Sequence, residues 1–267
     1  MENKHNLQSH VVPEHLLNQV FLGDVMEMLS GIPDGTIDCV FADPDYNVNI
    51  RYNGHSYTTE FKKYIQWYVE LTKELVRVLK PDGNLFTMNY PKQNSYLRVN
   101  FLDEACYEVV DYVWVYNSNI GQSPNKLTTA HRSILHGRIN KESRFYKDQI
   151  AVPYQNPNDR RIQQRMAEGS LGRMPYSWLY YDLVKNVSKE KTFHACQIPQ
   201  KLSEMFILSC TKPGDTVCIP FGGSGAELDV CKRLGRNFVS AEIDPLYHRL
   251  ISDRLQTGQI NPEFRLS

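Results

Sequence analysis

The chain has 267 residues, 41% of them hydrophobic and 22% charged, enough apolar content to bury a sizeable core in one large domain. Thirty Lys and Arg balance thirty Asp and Glu, so no global charge marks out a partner. No stretch approaches the roughly 20 apolar residues of a membrane helix, and the polar start MENKHNLQSHVVPEHL has no signal-peptide run, so a cytoplasmic location is expected. The six cysteines form no C-x-x-C pair and read as buried free thiols, with neither a disulfide framework nor a zinc site indicated.

QVFLGDVMEMLSGIPDGTIDCVFADPDYN predicts a strand near Val20 to Leu22, a short helix, a turn at Asp34-Gly35 and a strand from Ile37 to Ala42. A polar loop, NVNIRYNGHSYTTE, follows. Phe61, Tyr64, Ile65, Tyr68, Leu71, Leu75 and Leu79 then recur at helical spacing until Pro81-Asp82-Gly83, before a strand at LFTMNY. YEVVDYVWVYN is another strand. From about 121 to 191 the pattern degrades, with SILHG as a short strand amid Pro, Asn, Gln, Arg and Gly. The aromatics of MPYSWLYYDLV favour order there. Between Lys126 and Arg173 ten Lys or Arg face four acids, which points to a polyanion partner on one face or simply to a solvated surface. The last third is regular again: a helix over 198–210, the strand TVCIPF, the glycine loop GGSG, the helix AELDVCKRLG and the strand NFVSAEID. Strands alternating with helices imply an α/β domain with a largely parallel sheet.

The glycine loop needs a ligand class. Gly222, Gly223 and Gly225 allow a tight turn and close approach to the backbone, and Glu242 ends the next strand, where open α/β sheets bind ribose hydroxyls. A dinucleotide fingerprint would need glycine at Leu228, and a phosphate loop would need Lys-Ser/Thr where Ala226-Glu227 stand. Glu227 would repel a phosphate. A phosphate-free nucleoside such as S-adenosylmethionine fits better than either, and a tight turn without ligand is the plain alternative.

FADPDYN carries Asp43 and Tyr46 at the tip of a predicted parallel strand, the end at which such sheets bind ligands. Pro44 holds Asp43 extended. An acid beside an aromatic suits a planar substrate with an exocyclic amine, against the alternative of a capping Asp and a packed Tyr.

Taken together, the chain resembles the β class of DNA amino-methyltransferases, which methylate adenine N6 or cytosine N4. Their catalytic motif is (Asp/Asn/Ser)-Pro-Pro-(Tyr/Phe/Trp). Their cofactor motif, Asp-Pro-Phe-x-Gly-x-Gly, aligns with residues 219–225. Their His-Pro-Thr-Gln-Lys-Pro is echoed by His194, Gln197 and Pro199, and their early Gly-Asp by Gly23-Asp24. The catalytic motif comes first and the cofactor motif last, the β-class order. Asp45 replaces the second proline, and Ile219 replaces the first acid of the cofactor motif.

The resemblance implies a Rossmann-like methyltransferase fold: a mostly parallel twisted sheet with helices on both faces and an inserted DNA-recognition segment. It divides the chain into a catalytic part (1–120), a target-recognition segment (121–191) and a cofactor-binding part (192–267). It also implies a DNA adenine-N6 methyltransferase of restriction-modification or phage type, with cytosine-N4 as the alternative and an RNA or protein methyltransferase or an inactive DNA-binding relic less favoured. The implied partner is double-stranded DNA and the implied cofactor S-adenosylmethionine, with no metal or membrane; β-class members are often dimers, which makes a homodimer one option for the assembly. Asp43, Pro44 and Tyr46 are the implied catalytic residues, with Tyr46 stacking on a flipped-out base. Asp24, His194, Gln197, Phe221, Gly222, Gly223, Ser224, Gly225 and Glu242 would hold the cofactor. Lys126, Arg132, Arg138, Arg160, Arg161, Arg165 and Arg173 are the candidate DNA contacts. The loop from Val48 to Glu60 is expected to close over the site. Trp114 or Asn117 would line the base pocket, with core packing the alternative for Trp114. His131 and His136 read as polar packing or phosphate contacts.

Overall fold

The computed structural model describes residues 11–117, 124–186 and 188–265. Eight strands form one sheet: β1 (Gln19–Leu22), β2 (Ile37–Ala42), β3 (Leu79–Asn89), β4 (Glu108–Val115), β5 (His131–Arg138), β6 (Trp178–Tyr180), β7 (Thr216–Ile219) and β8 (Asn237–Glu242). The helices are α1 (Val25–Ser30), α2 (Phe61–Val78), α3 (Pro91–Leu97), α4 (Asp103–Ala105), α5 (Arg160–Ala167), α6 (Gln200–Cys210), α7 (Ala226–Arg233) and α8 (Pro245–Thr257).

The strand order is β1-β8-β7-β2-β3-β5-β4-β6. All neighbours are parallel except β5, which runs antiparallel to both β3 and β4. Cys39 and Phe41 pack on the α6–α7 face, while Val40 and Ala42 pack with α1 and α2. The central strand is therefore apolar throughout, as a sheet covered on both faces requires. From β2 the chain moves outward to β3, whereas from β7 it moves the other way to β8. The switch point between β2 and β7 leaves a crevice at their carboxyl ends.

Two sequence expectations change. Leu79–Asn89 is a single extended run, so Pro81-Asp82-Gly83 is not a turn ahead of the strand but lies within it. The β2–β3 register shifts between Ile37 and Cys39 to accommodate those residues. More consequentially, β5 comes from the expected 121–191 recognition segment yet is an internal strand of the main sheet, and the boundary at 121 itself lies outside the described residues.

That segment is also pinned to the end of the sheet opposite the crevice. Asp38 is buried, and its carboxylate accepts from Lys80 Nζ at 2.7 Å, from the Thr216 backbone N–H at 2.8 Å and from Arg144. Arg144 also pairs with Asp82 at 3.0 Å and Asp215 at 3.1 Å. Burial pushes the Asp38 carboxyl up, but its three donors more than offset this and hold it below the usual carboxylate range. Asp38→Ala is expected to cost roughly 3 kcal/mol, the lower end for a buried ion pair because Lys80 and Arg144 stay partly solvated. Urea unfolding measures this. The wild-type contribution is present above the unfolded carboxylate pKa and fades as pH falls through the lowered folded value, so the gap between the two proteins should close in acid.

Candidate active site

Four strand ends build the site. β1 delivers Gly23 and Asp24, β2 delivers Asp43 to Tyr46, β7 delivers Pro220 to Ser224, and β8 delivers Glu242 to Asp244. All line one cavity of about 370 Å³, within the range of small-molecule sites. Residues Tyr52, Tyr57 and Thr59 of the polar loop complete its wall. The loop is tied down by Asn53 Nδ2, which donates to Asp244 at 2.9 Å.

The wall carries the carboxyls of Asp24, Asp43, Asp45, Glu227, Glu242 and Asp244, and among the described residues no Lys or Arg. Such a wall repels phosphate and suits a ligand with hydroxyls and positive charge. Glu242 is buried, and its two oxygens accept from the backbone N–H groups of Gly223 at 2.8 Å and Asp244 at 2.9 Å. Gly223 adopts φ +53°, which favours glycine, and a Cβ at Gly222 would lie 2.6 Å from Ile251 Cδ1, so a side chain there would displace that methyl. Ser224 and Gly225 are buried beneath the loop, and Phe221 packs toward Trp67 at 6.3 Å. Asp24 caps α1 by accepting from Met26 N at 2.8 Å.

His194 leans on Tyr52 and Tyr247 at centroid distances of 5.5 and 4.9 Å, and its Nδ1 has no hydrogen-bond partner. Burial, reinforced by Lys191, lowers its pKa to about 4, so the ring is neutral. Gln197 lines the cavity but its amide is committed to the loop: Oε1 accepts from Thr192 N at 3.0 Å, and Nε2 donates to Glu190 O at 2.6 Å. The orphaned His194 nitrogen, the carboxyl-rich wall and the absence of a phosphate-binding cation fit a cationic, phosphate-free nucleoside.

At the tip, the Tyr46 hydroxyl donates to Asp43 Oδ1 at 2.5 Å. Burial raises the Asp43 carboxyl to about 8. The Tyr46 bond and Arg132 oppose that rise, while Glu227 and Asp45 add to it. Asp45 resolves the question its proline-less motif raises. Its Oδ1 accepts from Asn47 N at 2.8 Å, its carbonyl accepts from Tyr64 Oη at 2.6 Å, and Asn47 takes φ +57°. A side-chain turn bond thus does the work of the missing ring constraint.

Tyr46 is only 3% exposed. Its ring meets Tyr90 edge-on at 5.6 Å, and the Arg132 guanidinium lies 5.3 Å from it, 3.9 Å from the Tyr90 ring and 5.4 Å from the Tyr116 ring. Arg132 also donates to the Tyr116 hydroxyl and to its own neighbour's carbonyl, His131 O. The sequence places Arg132 among the candidate DNA contacts; the fold sets it against the acid–tyrosine pair. Tyr90 and Tyr116, for which the sequence offers no site signal, immediately follow strands that end at this edge.

A DNA methylase family model, that of the N6/N4 methyltransferases, matches residues 37–253. The chain belongs to this family. The type II methyltransferase M.BglII of Bacillus subtilis is 29% identical over 92% of this chain and 72% of its own length. The type II methyltransferase M.BamHI of Bacillus amyloliquefaciens is 28% identical over 90% of this chain and 57% of its own length. The DNA adenine methyltransferase YhdJ of Escherichia coli strain K12 is 28% identical over 88% of this chain and 82% of its own. Among solved structures, the cytosine-N4-specific PvuII DNA methyltransferase superposes with a TM-score of 0.69 at 20% identity, covering 91% of this chain and 88% of that one. The M1.HpyAVI–SAM complex gives 0.60 at 21% identity, over 88% and 98%. These confirm the fold. The protein is an S-adenosylmethionine-dependent DNA methyltransferase of the N6/N4 amino group.

The remaining candidates of this methyltransferase are scattered. Arg138 lies at the opposite end of β5, paired with Glu108 at 2.7 Å and donating to Lys141 O at 3.0 Å, away from the cavity. Arg160, Arg161 and Arg165 lie on α5, a helix with no buried residue, and Lys126 is exposed. The Arg173 guanidinium sits 4.3 Å from the ring of Tyr176, which stacks on Trp178 at 5.6 Å. Trp114 is 2% exposed and donates Nε1–H to Tyr181 O at 2.8 Å, so it is core. His136 is stacked on Phe86 at 4.3 Å, bonded to Asn84 Oδ1 at 2.8 Å and lowered by burial to about 3, which makes it polar packing. Among the described residues no helix is long and apolar enough to cross a membrane, and no group of three His, Cys, Asp or Glu is placed to hold a metal.

Proposed function

We propose that the enzyme methylates adenine N6 within a specific double-stranded DNA sequence, with Asp43, Pro44 and Tyr46 as the catalytic set. The observation that carries this is the Asp43 carboxyl, held at the carboxyl end of β2 on the wall of the cavity with one oxygen fixed by Tyr46. An exocyclic amine is a weak nucleophile because its lone pair is delocalised into the ring. The free oxygen of Asp43 and the Pro44 carbonyl accept its N–H groups, direct the lone pair and stabilise the charge that develops on nitrogen. S-adenosylmethionine supplies the electrophilic methyl when bound. Asp24, Glu242 and the 221–225 loop, with His194 and Gln197 beside them, would hold its nucleoside and methionine parts in the cavity they share with Asp43. A duplex base must be flipped out to reach this pocket. Tyr46, Tyr90, Tyr116 and Arg132 supply flat surfaces for it.

YhdJ, named an adenine methyltransferase, supports the adenine reading, while the PvuII enzyme, whose fold this chain shares, is cytosine-N4-specific and makes that the second reading. The type II relatives support a role in restriction-modification. For the recognition segment we set β5 aside from 121–191, because it is an internal strand of the sheet, and keep the parts that flank it. Exposed α5 and the Arg173–Tyr176–Trp178 stack are its phosphate- and base-contacting candidates, alongside Lys126. Arg138, already paired with Glu108, leaves the set. Expression in a methylation-free host followed by single-molecule sequencing of modified bases tests the reading. N6-methyladenine at one short motif is expected, and N4-methylcytosine would replace the adenine assignment.

A further inference from the structure

Glu227 has no role so far, yet it occupies an unusual place. It stands in the first turn of α7, immediately after the glycine loop, 7% exposed and on the cavity wall. Among the described residues its carboxyl takes a hydrogen bond only from its own backbone N–H. Arg254 of α8 is the cation that influences it, but that guanidinium is engaged by Asp229 at 3.6 Å and by Ser224 O at 3.1 Å. From β2 the facing group is Asp43, and from α7 itself Cys231. Neither supplies positive charge. At the end of β7 the same wall carries apolar Ile219. A buried carboxyl with no directly paired cation is costly unless it stays protonated or a ligand brings the charge.

We propose that Glu227 is the counter-charge for the positive sulfonium–ammonium end of S-adenosylmethionine, and that it releases a proton when the cofactor binds. The inference rests on the cofactor dependence of the family and is independent of the choice between adenine and cytosine. Burial holds the free carboxyl at about 7, so near neutrality the empty site is partly protonated. A cation beside it favours the ionised form. Binding therefore drives the proton off, and cofactor affinity rises with pH until Glu227 is already ionised in the free enzyme. One unit of coupling corresponds to a total gain of about tenfold, of which about fivefold falls between pH 6 and 8.

The test uses the full chain, without DNA and without turnover, so it does not depend on which base is modified. Titration calorimetry with S-adenosylmethionine at pH 7, in buffers of different ionisation enthalpy, counts protons. Release of a substantial fraction of one proton is expected in the wild type and in Asp43→Asn, which removes the most strongly raised of the other wall carboxyls, Asp45 and Glu242 being raised less. In Glu227→Gln the release should vanish, affinity should fall by about tenfold, and the pH dependence should flatten. Binding within about twofold of wild type in Glu227→Gln, or an unchanged proton count, would overturn the proposal. Should that variant fail to fold, as read by thermal melting, zero release in both wild type and Asp43→Asn overturns it equally. A failure to bind S-adenosylmethionine at all would instead strike the cofactor assignment beneath it.

Discussion

Asp43→Ala is expected to lower kcat/KM for DNA by roughly 10²–10³-fold, the scale for losing one aimed hydrogen-bonding group at a developing charge. Asp43→Asn should keep a measurable fraction of activity, because an amide carbonyl still accepts from the amine. The more telling difference is in pH. Tyr46 donates to Oδ1, so the proton of the neutral acid sits on the other oxygen, the one left for the substrate. A donor then faces a donor. The wild-type kcat/KM should rise with pH to a plateau with a midpoint near 8, the value to which burial lifts the carboxyl. That rise should be absent in Asp43→Asn. Stability runs the other way. The folded enzyme keeps this proton to about 8, whereas the unfolded chain loses it near 3.8, so between those values the folded state binds more protons and stability falls as pH rises. Asp43→Asn should accordingly melt above wild type at pH 8, with the advantage shrinking toward pH 4. An unchanged activity profile in Asp43→Asn would place the governing proton on another group, with Glu227 the first to examine.

Much of this site was legible because its parts are local. The apolar run into Asp43, the glycines of the β7–α7 loop and the acid closing β8 each declare a strand end, and parallel strands bring their carboxyl ends to one edge without further information. Partnership between distant side chains was not legible. β5 reads HRSILHGR, too polar to announce an interior strand. Its polar groups are satisfied by residues far off in sequence: His136 by Asn84, and Ser133 by Asp111. Arg132 and Arg138 both lie on this strand and share its face, yet six residues of rise part them by roughly 20 Å. One reaches the catalytic edge and the other an ion pair with Glu108 at the far end. Charge alone gave them the same reading; direction along an antiparallel strand separates them. Glu227 was noticed only as a residue that would repel phosphate, because its burial depends on α8 and the tip of β2 closing around it.

Arg132→Ala should reduce kcat/KM for DNA by about 10²-fold while leaving S-adenosylmethionine affinity unchanged, since Arg132 is not on the cavity wall. Its guanidinium is a flat cation packed on Tyr90 beside Tyr46 and bonded to Tyr116. Loss of its stacking and directed donors frees the Tyr90 and Tyr116 rings that pack around Tyr46, and with them the setting of the proposed base contact. Lysine is a poor substitute, having neither the plane nor the fork of donors, so Arg132→Lys should recover less than a tenth of the loss. Fluorescence of 2-aminopurine at the target position separates a defect in holding the flipped base from one in chemistry, and a weaker signal is expected in both variants. A purely structural role would stop there. Arg132 also bears electrostatically on Asp43, lowering its carboxyl against the rise caused by burial. Removing the charge must therefore move the activity midpoint of the preceding pH experiment above its wild-type value in Arg132→Ala, whereas Arg132→Lys should keep it closer to wild type. A midpoint that stays put in Arg132→Ala would show that the two groups do not communicate and would reduce Arg132 to packing.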